Sequence, residues 1–147
     1  MTEQKTVLQS SNLVMDDASQ WNVLVVDDEP DNREIAETVL SFNGVKVRTA
    51  IHGADGLKLI EDSMPTFVLL DLSMPVMDGW EMIKMMRANP KTQGIPVIAL
   101  TAHAMAGDRE KAYGAGFDGY IAKPFRIPTF MSELKSCLRN VIEHSKV

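Results

Sequence analysis

The chain has 147 residues, of which 45% are apolar and 24% charged, with a net charge of −5 and a pI of about 5.1. That length and apolar content suit one globular domain with a proper core, and the acidic balance argues against a nucleic-acid-binding surface. No apolar stretch is long enough to cross a membrane and no basic, then apolar, leader opens the chain; the single cysteine, Cys137, excludes an internal disulfide framework and is consistent with a reducing, cytoplasmic location.

Residues 1–20 are rich in Ser, Gln, Asn and Thr and read as a mobile extension, with room for a short helix over Val7 to Met15. The folded domain is expected over 21–143, with 144–147 as a tail. A first strand is predicted over Asn22 to Val26. A helix follows, opened by Pro30 and stopped by Gly44, with Ile35, Val39 and Phe42 on its apolar face. Strand 2 is predicted over Val45 to Thr49, helix 2 over Ala54 to Asp62 and strand 3 over Phe67 to Leu70. After a loop from Asp71 to Met77, helix 3 covers Gly79 to Ala88. It carries Trp80, Met82, Met85 and Met86, and the methionines read as core filling. Strand 4 runs from Pro96 to Leu100, a proline being tolerated at a strand's first position. A short helix 4 covers Gly107 to Tyr113, strand 5 Gly119 to Ala122, and the last helix Pro128 to Glu143. Its face carries Phe130, Met131, Leu134, Cys137, Leu138, Val141 and Ile142.

Five strands alternating with helices predict an α/β domain with a parallel sheet and helices on both faces. The size suits a flavodoxin-like, doubly wound, five-stranded sheet of order 2-1-3-4-5, with its switch point between strands 1 and 3. Four apolar runs each end in polar residues: Asp27-Asp28, Asp71, Thr101 and Lys123. In a parallel sheet these strand ends share one edge, where ligands bind.

Each of these residues alone has an ordinary structural reading, as a cap, a turn or an exposed lysine; their convergence is what points to chemistry. Two like charges about 4 Å apart repel by roughly 4 kcal/mol at an effective dielectric near 20, so Asp27, Asp28 and Asp71 together need a counter-charge. Magnesium, a hard cation that keeps several waters, suits a shallow carboxylate site. A carboxylate can also attack phosphorus and form an aspartyl phosphate. Asp71, alone at a central strand end, is the candidate nucleophile, with Lys123 to neutralise phosphoryl oxygens and Thr101 to donate a hydrogen bond.

The segments VLVVDDEPDNR, LLDLSMPVMDGWEMIKMMR, IPVIALTAHA and GYIAKPF, in that order and separation, resemble the receiver domain of two-component response regulators from about Trp21 to Ile142. The resemblance implies that Asp71 is the phosphoacceptor, that Asp28 binds Mg2+ directly and Asp27 mainly through water, and that the backbone carbonyl of Ser73 is a further ligand. It makes Thr101 the switch hydroxyl, Lys123 the phosphate-binding lysine and Tyr120 the switch aromatic, which turns inward on phosphorylation. A cis Lys123-Pro124 bond is expected.

The donor would be a histidine kinase or histidine phosphotransfer protein, docking on Asn32, Arg33, Ile35 and Ala36 of helix 1 and on Pro124, Phe125 and Arg126. The downstream protein is not named by the sequence. Ser73 and His103 occupy the two positions that tune phosphoryl lifetime in such domains; His52 and His144 read as loop and tail residues. A stand-alone receiver, catalysing only its own phosphorylation and dephosphorylation, is the leading expectation; a receiver cut from a hybrid histidine kinase is the alternative. An aspartyl-phosphate phosphatase of the haloacid dehalogenase type would want an acid two residues after the nucleophile, where Ser73 stands, and a flavodoxin would want a Ser/Thr-rich phosphate loop after strand 1.

Overall fold

A computed structural model describes residues 17–102 and 107–145, the last three by backbone alone. The expectations for a helix over Val7 to Met15, for His103 and for the His144 side chain lie outside the described residues. Five strands are described: β1 (Asn22–Val26), β2 (Lys46–Ala50), β3 (Phe67–Asp71), β4 (Val97–Thr101) and β5 (Gly119–Ala122). Between and after them come α1 (Pro30–Phe42), α2 (Gly53–Asp62), α3 (Gly79–Ala88), α4 (Asp108–Ala115) and α5 (Ile127–Ser145). The helix of the expected tail region therefore continues to Ser145. All four strand pairings are parallel, in the order β2-β1-β3-β4-β5.

The central strands are apolar without interruption because helices cover both sheet faces. Side chains alternate across a strand, so each run feeds two cores. Val23, Val25, Phe67, Leu69, Ile98 and Leu100 pack with α1 and α5. Leu24, Val26, Val68, Leu70, Val97 and Ala99 pack on the other face with α2, α3 and α4. β2 is one of the two edge strands, and its Lys46, Arg48 and Thr49 keep contact with solvent, as an edge allows.

Caps and turns set where the helices start. Pro30 occupies the first turn of α1, and Gly44, at φ +84°, follows its end. Asp78 accepts from Glu81 N at 2.9 Å and so opens α3. His52 is more than a loop residue: its Nδ1 accepts from Asp55 N at 3.2 Å and caps α2.

Three expectations are corrected. Phe42 is 89% exposed; the packed arc of α1 is Ala36, Val39 and Leu40, at spacings of three and four. Of the methionines on α3, Met82 and Met86 are buried but Met85 is 47% exposed. The domain also begins before Trp21, with a 3₁₀ turn over Ala18–Gln20 whose Ala18 packs on the α1/α5 core.

Candidate functional site

Strand termination brings the predicted residues together at the carboxyl edge. β1 delivers Asp27 and Asp28, β3 delivers Asp71, β4 ends in Thr101, and Lys123 follows β5. Thr101 and Lys123 are tied by a backbone bond, Lys123 N donating to Thr101 O at 2.7 Å. The Lys123-Pro124 peptide is cis, as expected.

Carboxylate oxygens of Asp27, Asp28 and Asp71 lie within 4.8 Å of one another. Asp27 and Asp71 are buried, while Asp28 is half-buried at the opening. Lys123 Nζ lies 2.9 Å from Asp27 Oδ2 and 3.3 Å from Asp71 Oδ1, with Glu29 Oε1 further out at 3.9 Å. Asp27 Oδ2 is otherwise without a hydrogen-bonded partner. One ammonium thus stands against the clustered acids Asp27, Asp28 and Asp71, with Glu29 a fourth at the rim, so acidic groups outnumber the cation. That deficit, with hard oxygen donors and an under-satisfied buried oxygen, fits a divalent cation such as Mg2+.

The electrostatics follow from this shortage. Burial, and then the neighbouring Asp27 charge, push the Asp71 carboxyl up to about 7, against the opposing pull of Lys123. For Lys123, burial acts downward, but Asp27 and then Asp71 outweigh it and raise the ammonium above its ordinary value.

Two residues that sequence reasoning gave no part in holding this site together build it. Gly79 opens α3 against the end of β3: a Cβ there would sit 2.3 Å from Asp71 O. The Asp-Gly pair after the Met-Pro loop was the available signal. Arg33, read as a docking residue, donates from Nη1 to Asp27 O at 2.9 Å and braces the β1 end. Ser73 N donates to Asp71 Oδ1 at 3.3 Å and its side chain is exposed. Two expected docking contacts are withdrawn: Ala36 and Phe125 are buried in the α1/α5 core, with little or no surface to offer, whereas Asn32, Ile35, Pro124 and Arg126 keep theirs.

Tyr120 is 7% exposed, so its ring already lies inward. The Arg109 guanidinium sits 5.0 Å from the ring centroid. Burial, followed by the charge of Asp108, raises the Tyr120 hydroxyl above its ordinary value.

Residues 23–135 match the response regulator receiver domain family. The chain belongs to that family. This receiver domain is 40% identical over 110 residues to a 14.6 kDa protein of Leptolyngbya boryana, covering 75% of this chain and 84% of the relative. It is 32% identical to the polar-differentiation response regulator DivK of Brucella anthropi, covering 80% and 95%. It is 37% identical to the transcriptional regulatory protein PrrA of Mycobacterium leprae, but spans only 51% of that longer protein. Among solved structures it resembles the chemotaxis response regulator CheY4 of Vibrio cholerae, with a TM-score of 0.75, 27% identity and coverage of 80% and 98%. The receiver is therefore a two-component signalling domain of CheY-type fold, in a family whose acidic site binds Mg2+ and whose partners are histidine kinases and phosphotransfer proteins. Membership sets aside the phosphatase and flavodoxin readings. No described helix is long and apolar enough to cross a membrane.

Proposed function

We propose that Asp71 accepts a phosphoryl group from the phosphohistidine of a histidine kinase or phosphotransfer protein. An Asp71 carboxylate oxygen attacks phosphorus, the phosphorus–nitrogen bond of the donor breaks, and the electron pair stays on the histidine ring. Asp28, Asp27, Asp71 and the Ser73 carbonyl would hold Mg2+. When bound, the cation neutralises charge on the phosphoryl oxygens. Lys123 supplies a second, fixed positive charge on the same oxygens, and Thr101 donates its hydroxyl to one of them. Water later cleaves the acyl phosphate and returns the carboxylate.

The observation that carries this reading is the placement of Lys123 Nζ between Asp27 and Asp71. An ammonium that pairs with two acids at once is positioned to meet an anion added to either. Because Tyr120 already lies inward, we read the switch as a shift between populated states. New bonds from the phosphoryl group to Thr101 and Lys123 favour one of them.

Output through protein contact, as a stand-alone receiver, is the reading we favour. It is supported by the net charge of −5 and by the 95% coverage of DivK. A receiver within a hybrid kinase is the alternative, given the likeness to the receiver domain of a histidine kinase from Syntrophus aciditrophicus (TM-score 0.71, 25% identity).

Incubation with acetyl phosphate and Mg2+, read by intact mass, tests the assignment. One added phosphoryl group is expected, and none in Asp71→Asn. An addition that survives Asp71→Asn would overturn it.

A further inference from the structure

An apolar groove of about 850 Å³ runs between α1 and the start of α5. Ile35, Phe42, Ile127 and Met131 line it, and Asp31 and Glu34 stand at the end nearest the start of α1. Phe42 is 89% exposed and Ile127 62% exposed. Two large exposed apolar side chains on one groove mark a contact surface. The partner face proposed above shares only Ile35 with it.

The chain enters the described domain at one end of this groove. Asp17 caps the 3₁₀ turn Ala18–Gln20, and Ser19 Cβ lies 3.2 Å from where a Cβ on Gly44 would sit. Gly44 follows Phe42 and Asn43, which close that end of the groove. The first described residues, Asp17 to Ser19, therefore lie beside the turn that follows Phe42. The sequence of residues 1–16 suits the groove beyond. Wound as a helix, Val7, Leu8, Val14 and Met15 fall within one arc of roughly 120°. Lys5 is the only lysine or arginine among these residues. From Met15 to Lys5 such a helix would rise about 15 Å, and from Phe42 back to Asp31 α1 rises about 16 Å. A segment parallel to α1, with its Met15 end at Phe42, would bring Lys5 to Asp31 and Glu34.

We propose that residues 1–16 dock in the α1/α5 groove of their own chain, with Val7, Leu8, Val14 and Met15 on its apolar floor and Lys5 paired with Asp31 or Glu34. The coincidence of three features carries this: where the chain enters, the length to the acidic end, and the position of its single cationic side chain. A second copy of the chain or another protein in the groove would be a different molecule.

Zero-length carbodiimide cross-linking of the full chain, with peptide mapping, tests the docking. A mixture of isotopically light and heavy chains separates links within one chain from links between two. A link from Lys5 to Asp31 or Glu34 within one chain is expected. It should fall roughly tenfold in Met15→Asp and in Phe42→Asp, each of which puts a charge on the apolar contact. Phe42 is solvent-facing, so its substitution leaves the fold intact. The Lys5→Glu, Glu34→Lys pair is expected to restore the link in reversed polarity. Absence of the link, its persistence in both aspartate variants, or mixed light–heavy links alone would overturn the proposal, the last pointing to a second copy.

Discussion

Asp71 sits in a place that favours its neutral form until a cation arrives. Its folded pKa of about 7 lies above the ordinary carboxylate value of 3.8. A raised acid contributes full stability at low pH and loses it as pH rises through the folded value. In chelator, then, the receiver is expected to lose stability from about pH 4 to pH 7, and Asp71→Asn should be the more stable protein at pH 7 by about 2–4 kcal/mol. Denaturant midpoints at pH 4.5 and 7 check this; an advantage for Asn that does not grow with pH would refute the assigned environment. Gly79 is a second such position. Gly79→Ala should cost about 2–3 kcal/mol and slow phosphoryl uptake, because the methyl group can fit only if Asp71 or α3 moves. Uptake at the wild-type rate would count against that contact. Val76 is β-branched, 79% exposed and at φ +69°, a region that favours glycine. Val76→Gly is expected to raise stability by about 1 kcal/mol in the same assay.

The elements away from the site are held by a different kind of residue. Arg87 closes α3 and reaches three carbonyls, Gly116 O at 2.9 Å, Gln93 O at 3.0 Å and Ile95 O at 2.8 Å. Its Nη2 also donates to Asp118 Oδ2 at 2.9 Å, and that oxygen accepts from Val97 N at 2.9 Å. One planar guanidinium thus joins α3, the turn before β4 and the turn before β5. Lysine cannot reproduce this fork, so Arg87→Lys should destabilise the fold by about 2–4 kcal/mol while leaving phosphoryl uptake on Asp71 in place below the unfolding midpoint. Thermal unfolding alongside mass measurement of uptake separates the two effects. Sequence patterns gave no hint of Arg87, because its partners, three carbonyls and the Asp118 carboxylate, are brought together only by the fold. Strand ends were legible to within a residue: apolar runs mark burial, but the ladder decides termination. Asp71 pairs with Leu100 and so remains in β3, and Pro96, which has no N–H, stays outside β4 but accepts from Val68 N. Phe42 misled because an apolar residue every three or four positions reads as a core face, while the small Ala36 that truly faces the core carries little weight in such a pattern.

Across the whole molecule, site and core share one cause. The apolar runs that fill both faces of the sheet are parallel, so their polar final residues must meet at one edge. The identities and positions of Asp27, Asp28, Asp71, Thr101 and Lys123 were readable from that rule. The pairing of Lys123 with both Asp27 and Asp71 needed coordinates. So did the inward ring of Tyr120 and the bracing of β1 by Arg33. The central claim is that this edge captures a phosphoryl group on one particular carboxylate. Borohydride reduction of the phosphorylated receiver, followed by peptide sequencing, reads that location directly, since an aspartyl phosphate is reduced to homoserine. Homoserine at position 71 alone is the expected result; homoserine at another acidic position, or none after phosphoryl uptake, would contradict it.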